Sequence, residues 1–152
     1  MFESKLDVVC SSTEDDKELY LRGSCHVLAI ALHRRYRMSI VVAVDADEVY
    51  GSDLNVVHCY AVDINGMAWD VLGARDARAM RKELVDRYYD VGMLERNEVR
   101  DEAGIGTYID GRCGSDDDRP LHSYTEEDIA QADEFISRVM AHLIEVAPQS
   151  SP

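Results

Sequence analysis

The stretch Val-Val-His-Cys-Tyr-Ala-Val-Asp-Ile-Asn-Gly-Met-Ala-Trp-Asp-Val-Leu, residues 56–72, decides the fold. Two short runs rich in β-branched and aromatic residues, 56–62 and 67–72, flank the tripeptide Ile64-Asn65-Gly66. Asparagine followed by glycine is a strong hairpin signal, because both residues tolerate the left-handed backbone conformation that tight turns need. The stretch therefore predicts two antiparallel strands joined by a tight turn.

The length of that turn decides where two polar side chains, His58 and Asp70, point. A two-residue turn places them on opposite faces of the hairpin, because side chains alternate along a strand. A three-residue turn, with Gly66 in the left-handed position of a bulge, places them diagonally on one face. Both turns suit the sequence, and only the three-residue turn brings the two side chains together.

The rest of the chain predicts four helices, one further strand and two polar loops. The helices are expected over residues 11–21, 25–36, 77–89 and 125–146, the strand over 40–44, and the loops over 45–54 and 97–124, the second with a short strand at 107–109. Asp76 is expected to cap the third helix, and a capping box of Thr125 with Asp128 the fourth. This mixture predicts an α+β fold, with helices packed on a small antiparallel sheet. We expect a single domain over residues 1–147 and a loose tail at 148–152.

Composition and charge limit the classes of partner. The 152 residues are 46% hydrophobic and carry a formal net charge of −14. So acidic a surface repels phosphate backbones and anionic lipids, so we expect neither nucleic acid nor membrane as a partner. It favours a basic protein or peptide partner, although solubility alone is the commoner reason for such a charge. The first residues lack an apolar stretch, and this predicts a cytoplasmic location.

The cysteine pattern argues against a disulfide scaffold and against a metal site. The four cysteines are Cys10, Cys25, Cys59 and Cys113, and none forms a Cys-x-x-Cys pair. In the cytoplasm they are expected to be thiols. The neighbours Cys25-His26 and His58-Cys59 match no common zinc spacing, since adjacent residues rarely bind one tetrahedral ion. We therefore expect no metal and no cofactor.

Cys25 stands out because it follows Gly23 and Ser24 at the predicted start of a helix. Ser24 is a good N-cap residue, and the first turn of a helix carries about half a positive charge. That field favours the thiolate, which is the nucleophilic form of cysteine. The alternative is a small buried cysteine that fills a contact between helix and strand.

His58 and Asp70 complete a possible catalytic group. An imidazole is a suitable base for a thiol, and an acid within an apolar strand needs a partner such as an imidazolium. The alternative for His58 is a hydrogen-bonded core histidine. Asp63 adjoins the predicted turn, and Asp45 and Asp47 lie in a polar loop where an acid is usually solvated. The remaining histidines, for which the sequence indicates no partner, are His26, His33 and His122.

The order of these pieces resembles the papain-like and transglutaminase-like cysteine enzymes. The matching segments are Arg-Gly-Ser-Cys-His (22–26), Val-His-Cys-Tyr-Ala-Val (57–62) and Ala-Trp-Asp-Val-Leu-Gly (68–73). Within that superfamily, the Arg-Gly-x-Cys start and the Asp-Val-x-Gly end look like the arylamine N-acetyltransferases, although this chain is much shorter. The resemblance covers roughly residues 20–75 and implies a papain-like core.

The resemblance also implies residue roles. It makes Cys25 the nucleophile, His58 the base and then the acid, and Asp70 the residue that orients His58. Many members add an upstream side chain to the oxyanion hole. No glutamine precedes Cys25 at a suitable position, and Tyr20 is the candidate here.

Two functions of different classes follow. The first is a cysteine-dependent amide-bond enzyme, of the peptidase, amidase or glutamine deamidase/transglutaminase type, that forms an acyl-enzyme on a protein or peptide substrate. The second is a non-catalytic acidic binding, immunity or inhibitor protein that engages a basic partner through the acidic segments 45–53 and 116–118. One fast-reacting thiol would indicate the enzyme, whereas ordinary thiols throughout would indicate the binding protein.

Overall fold

The computed structural model describes residues 8–21, 24–50, 53–87, 94–99, 101–109 and 124–146. Within these ranges the fold is a mixture of helices and one antiparallel sheet, which confirms the α+β prediction. The strands are β1 (Val8–Val9), β2 (Ser39–Tyr50), β3 (Asp53–Val62), β4 (Met67–Asp70), β5 (Gly73–Asp76) and β6 (Leu94–Glu98). The helices are α1 (Glu14–Leu21), α2 (Cys25–Tyr36), α3 (Ala77–Arg87), α4 (Glu102–Ile109), α5 (Glu126–Phe135) and α6 (Ala141–Val146).

The sheet has the strand order β1-β5-β4-β3-β2-β6. Its two faces are covered by different helices. On one face, α1, α2, α5 and α6 pack on a core that includes Ile40, Ala61 and Trp69. On the other face, Met80 and Leu84 of α3 pack against a smaller group of strand residues. The central strands are therefore buried on both sides, which explains why a polar side chain there needs partners.

The β3–β4 hairpin has the three-residue turn. Ala61 pairs with Trp69 and Val62 with Ala68, and Gly66 has φ 79°. The side chain of Asp63 holds the turn, because it accepts hydrogen bonds from three donors, the backbone N–H groups of Asn65 and Met67 and the indole N–H of Trp69. The register that aligns His58 with Asp70 is thus confirmed, and Asp63 has the turn role expected of it.

Helix α2 begins and ends where the sequence predicts. It starts at Cys25 and stops at Tyr36, after which Arg37 adopts the left-handed conformation with φ 59°. The prediction of Ser24 as a capping side chain is wrong, because its hydroxyl makes no capping hydrogen bond, although its carbonyl oxygen accepts from the backbone N–H of Val27. The capping box of Thr125 with Asp128 is confirmed at the start of α5.

The acidic loop predicted at 45–54 is wrong over most of its length. Strand β2 continues to Tyr50 and β3 begins at Asp53, with Asp45 paired to Asn55 and Tyr50 to Asp53. Ladder hydrogen bonds join backbone groups, so strand pairing overrides the low β-propensity of the acidic residues. The side chains of Asp45 and Asp47 lie outside the described residues.

Two further predictions fail around the edges of the sheet. The strand predicted over 67–72 ends at Asp70, and a two-residue turn leads into β5, which the sequence reading missed. The long loop predicted over 97–124 begins within β6 and contains helix α4, so the short strand at 107–109 is wrong. Asp101 favours α4 by accepting from the backbone N–H of Gly104. Residues 110–123, including His122 and the acidic run 116–118, lie outside the described part.

The final helix is confirmed over almost its whole length. Helix α5 leads through a π-helical segment, Ile136–Met140, into α6. Helix α3 starts at Ala77, and Asp76 caps it by accepting from the backbone N–H of Arg78. The predicted tail at 148–152 lies outside the described residues. None of the described helices is both long and apolar enough to cross a membrane.

Candidate active site

Cys25 is the first residue of α2, where the sequence predicts it, and its side chain is buried, with 7% of its surface exposed. The first backbone N–H groups of a helix have no acceptor within the helix. Together with the helix dipole, they make this end of α2 favourable for negative charge. A thiolate at Cys25 therefore lies in a positive field.

His58 lies on β3 beside an irregularity in the ladder. Ala43 of β2 pairs with His58, but the next residue, Val44, pairs with Val56, so residue 57 is the extra residue of a bulge. Bulges redirect neighbouring side chains and are frequent beside functional sites. The buried His58 ring stacks on Tyr60 with 5.8 Å between ring centroids. The bulge and the stacked ring fix the direction of the imidazole.

Asp70 is the partner of His58, as the hairpin register predicts. The His58 Nε2 and Asp70 Oδ2 atoms are 3.0 Å apart, and Asp70 is only 3% exposed. Because Nε2 faces the carboxylate, Nδ1 is the ring nitrogen that remains for the thiol. The Cys25 thiol raises the pKa of His58, and His58 lowers the pKa of Cys25, so the two side chains lie within interaction range of each other. The imidazole thus stands between a sulfur and a carboxylate.

The Asp70 carboxylate also binds a cation that the sequence reading missed. Arg75 donates from both terminal nitrogens, at 3.0 Å to Oδ1 and 3.1 Å to Oδ2, and the backbone N–H of Leu72 donates to Oδ1 at 2.9 Å. With the bond from His58, the carboxylate accepts four hydrogen bonds. This two-pronged contact holds the acid in one orientation.

Arg75 is in turn held by helix α3. Its Nε donates to the carboxylate of Glu83, and one terminal nitrogen lies 3.2 Å from the sulfur of Met80. A signal for Arg75 was available, because a two-residue turn before Gly73 places Arg75 on the same face as Asp70. The glycine is required there, since it has φ 124° and a Cβ atom at this position would lie 1.8 Å from the carbonyl oxygen of Val8.

These contacts determine the charge on each group. Burial opposes ionisation of the Cys25 thiol, but hydrogen bonds from His26 and His58 outweigh it and lower the pKa to about 6. Burial likewise disfavours a charged His58, but hydrogen bonds with Asp70 and Cys25 raise its pKa to about 9. For Asp70, burial is outweighed by His58 and Arg75, which hold the pKa well below its usual range. These shifts favour a thiolate at Cys25, an imidazolium at His58 and a carboxylate at Asp70 at neutral pH.

The other described cysteines have the opposite character. Burial raises the pKa of the Cys10 thiol to about 11, with a further contribution from the charge of Asp70. Burial also raises the pKa of Cys59, and the nearby Cys25 adds to the effect. Both are free thiols, as is Cys25. Among the three described cysteines, Cys25 has the lowest thiol pKa.

The remaining candidates from the sequence lie in different places. His26, which we expected to have no partner pattern, is buried, its ring lies 6.0 Å from the Tyr124 ring, and it helps to lower the pKa of the Cys25 thiol. Tyr20, considered for the oxyanion hole, packs against Phe135, with 5.3 Å between ring centroids. The Nδ1 atom of His33 lies 2.8 Å from the carbonyl oxygen of Met38, beyond the end of α2. Of these three side chains, His26 is the one that affects the pKa of Cys25.

Two other kinds of site were considered. In the described part of the chain, no cluster of three or more His, Cys, Asp or Glu side chains is arranged to hold a metal ion. An open groove of about 440 Å³ lies between α2 and α5, on later turns of α2 than Cys25. Its charged side chains are already paired, Arg34 with Glu126 and Arg35 with Asp133. The lining of this groove does not include Cys25, His58 or Asp70.

Comparison of this chain with protein-family models, with curated proteins and with solved structures finds no match. The functional argument therefore depends on the geometry of the site.

Proposed function

We propose that this protein is a cysteine-dependent enzyme that cleaves or exchanges amide bonds through an acyl-enzyme on Cys25. One observation carries the proposal: the buried imidazole of His58 lies 3.0 Å from the carboxylate of Asp70, and its interaction with the Cys25 thiol helps to lower the pKa of that thiol to about 6. A nucleophile, a base and an orienting acid in this order are the components of a catalytic triad. Arg75 has a positioning role, because it acts through Asp70.

In the first step the Cys25 thiolate attacks the carbonyl carbon of the substrate. The sulfur–carbon bond forms, and the carbonyl oxygen takes the negative charge, which backbone N–H groups in the first turn of α2 stabilise. The carbon–nitrogen bond then breaks, and the His58 imidazolium transfers its proton to the departing amine. The products are a free amine, a neutral imidazole and a thioester on Cys25.

In the second step a nucleophile attacks the thioester. Neutral His58 removes a proton from a water molecule or an amine, the new bond to the carbonyl carbon forms, and the sulfur leaves as a thiolate. Water gives hydrolysis or deamidation, and an amine gives acyl transfer. The ion pair of Cys25 and His58 is restored at the end of the cycle.

The arrangement of elements supports a papain-like or transglutaminase-like core. The cysteine lies at a helix start, the histidine on β3, and the acid on the adjacent antiparallel strand β4. This is the order that the sequence resemblance implies. We assign Cys25, His58 and Asp70 to the corresponding three roles.

The substrate we propose is a protein or peptide, with a preference for basic sequences. The net charge is −14, and both α1 and α5 carry three acidic residues in their first turn. Such a surface concentrates cationic ligands and accelerates their encounter with the protein. We propose that the reaction takes place in the cytoplasm, where the thiol stays reduced.

The test combines an activated ester with a panel of peptides. Mixing the protein with p-nitrophenyl acetate should release one equivalent of nitrophenolate rapidly and leave one acetyl group on Cys25, as read by intact mass and peptide mapping. Lysine-rich and arginine-rich peptides containing glutamine should then show cleavage, deamidation or amine incorporation by mass spectrometry. Cys25→Ala should abolish all of these. Equal acetylation of Cys25→Ala and wild type would overturn the proposal.

A non-catalytic binding protein is the second candidate, and the burial of the sulfur favours it. Only 7% of the Cys25 surface is exposed, so a substrate carbonyl has little direct access in this conformation. The acidic surface would then bind a basic protein partner directly. One variant distinguishes the two candidate functions. If the protein is a binding protein, Cys25→Ala should keep its full biological effect, and if it is an enzyme, Cys25→Ala should lose that effect.

A further inference from the structure

Arg75 is shared by two carboxylates, one buried and one near the surface. Its two terminal nitrogens donate to Asp70, at 3.0 and 3.1 Å, and its Nε donates to Glu83. The Asp70 side chain is 3% exposed, the Arg75 side chain 12% and the Glu83 side chain 38%. Since His58 Nε2 lies 3.0 Å from Asp70, paired charges run without a break from the buried imidazole to helix α3. The triad mechanism leaves the outer end of this line, Glu83, without a role.

The packing of α3 holds Glu83 in place for this contact. Met80 and Leu84 of α3 are buried against the sheet, and Glu83 follows Met80 by three residues, so the two side chains are neighbours on the helix surface. The Met80 sulfur lies 3.2 Å from one terminal nitrogen of Arg75. Two side chains of α3 therefore contact the same guanidinium, and the position of Glu83 follows from a packed helix.

Arg75 has two opposing effects on the triad. A guanidinium that binds both oxygens of Asp70 fixes the orientation of the carboxylate. Its positive charge, however, disfavours a second cation, the His58 imidazolium, on the same acid. A further carboxylate on the guanidinium offsets that charge, and it does so more strongly in a buried region than in water.

We propose that Glu83 is a positioning residue that acts through Arg75: its charge lets the arginine orient Asp70 while Asp70 still stabilises the protonated form of His58. This inference rests on the proposed acyl-enzyme chemistry, in which the His58 imidazolium gives its proton to the leaving amine. Removing the charge of Glu83 leaves Arg75 uncompensated and favours neutral His58. Removing the charge of Arg75 favours the imidazolium instead. Removing both charges should return His58 close to its original behaviour.

Other titratable groups lie around His58 and Asp70 in the described part of the chain. They are Cys25 and its neighbour His26 on α2, Cys59 and Tyr60 on β3, and Cys10 after β1. Burial raises the pKa of Cys10 and Cys59, so both thiols stay neutral where His58 titrates. The pKa of Cys25 is lowered to about 6, whereas that of His58 is raised to about 9. The upper titration step of the His58 ring therefore reports the state of its acid.

The experiment follows the NMR signals of the His58 imidazole against pH, with no substrate present. Glu83→Gln, a change of nearly equal size, should lower the upper midpoint of His58 by about 0.5–1 pH unit from its wild-type value near 9. Glu83→Asp keeps the charge and should recover part of that shift. Arg75→Gln should raise the midpoint, and the double variant of Arg75→Gln with Glu83→Gln should bring it back toward wild type. The matched control is Asp86→Asn, which removes the same charge from an exposed position on α3 and should leave the midpoint unchanged.

The outcomes separate this inference from the proposed function. An unchanged His58 midpoint in Glu83→Gln, or an equal shift in Asp86→Asn, would overturn the inference. Should Arg75→Gln not fold, the variants of Glu83 and Asp86 decide, because both side chains reach solvent. In amide cleavage against pH, Glu83→Gln should move the basic limb of kcat/KM downward by the same amount as the NMR midpoint, an effect that lost stability alone would not produce.

A wild type that forms no acyl-enzyme with p-nitrophenyl acetate contradicts the proposed function. The His58 midpoint needs no substrate, so it still tests the action of Glu83 in that case. A lowered midpoint in Glu83→Gln would support that action, and an unchanged midpoint would overturn it.

Discussion

Replacing Asp70 by asparagine removes the charge that His58 and Arg75 share. Asp70 is 3% exposed, and both cations remain largely out of water, with the Arg75 side chain 12% exposed. Breaking a buried ion pair by neutralising one partner costs about 3–5 kcal/mol. Each kcal/mol lowers the melting temperature of a chain of this size by about 2–4 °C. We therefore expect Asp70→Asn to melt about 6–20 °C below wild type.

The same substitution should change the chemistry of Cys25. Without the carboxylate, His58 loses the first of the interactions that favour its charged form, and the thiolate loses its countercharge. The pH midpoint for alkylation of Cys25 should therefore rise from about 6 toward the ordinary thiol value. Calorimetry measures the first effect, and iodoacetamide rates across pH measure the second.

Asp63→Asn is the matched control on the same hairpin. Asp63 accepts three hydrogen bonds, all from neutral donors. Its replacement should lower the free energy of unfolding by about 1–2 kcal/mol and leave the pH midpoint for alkylation of Cys25 unchanged. If Asp70→Asn behaves like Asp63→Asn in both measurements, the reasoning about a buried triad acid is refuted.

The pH dependence of stability gives the sign of the Asp70 effect. Because its folded-state pKa is lower than its unfolded value, the carboxylate contributes its full stabilisation above about pH 5 and loses it as the pH falls toward the folded-state pKa. Near neutral pH the stability difference between wild type and Asp70→Asn should follow the changed pKa values of Cys25 and His58. Below about pH 4 it should shrink as Asp70 itself is protonated. A difference that grows below about pH 4 would contradict this assignment.

Further predictions concern the thiols, the base and one glycine. Brief labelling with iodoacetamide at neutral pH should modify Cys25 well ahead of Cys10 and Cys59, and mass mapping that finds Cys25 protected would contradict the enzyme proposal. Cys25→Ala should lose activity yet melt close to wild type, whereas His58→Ala should reduce kcat/KM by about 10²–10⁴-fold. Gly73→Ala should destabilise the protein by more than about 2 kcal/mol in urea titrations, because φ is 124° and a Cβ atom would lie 1.8 Å from the Val8 carbonyl oxygen. Gly66→Asn, at φ 79°, should cost less than Gly73→Ala.

Much of the site follows from local sequence signals. The glycine at position 66 and the alternation of β3 and β4 carry enough information to align His58 with Asp70, and the break before Cys25 marks the start of α2. These features depend on residues that are close together in the chain. There, the type of turn and the alternation of side chains along each strand determine which residues share a face. The catalytic roles of the three residues stay a prediction.

Other parts of the site and fold depend on contacts that the sequence does not display. Arg75 and Glu83 join Asp70 only because β5 turns back beside β4 and α3 packs over it. His26 acquires its neighbour Tyr124 from a segment almost a hundred positions away. Strand β2 extends through acidic residues because its backbone pairs with β3. Propensity alone favours a loop there, and tertiary pairing overrides it.

The measurement that tests the central claim most directly needs no substrate. The measurement is the ultraviolet absorbance of the thiolate against pH. Subtracting the curve of Cys25→Ala from the curve of wild type leaves the ionisation of Cys25 alone. We predict a midpoint near the pKa of about 6 to which His26 and His58 lower the thiol, with the thiolate as the predominant form at neutral pH. A midpoint near the ordinary value of about 8.5 would contradict the account, because it would show that no imidazolium stabilises the sulfur.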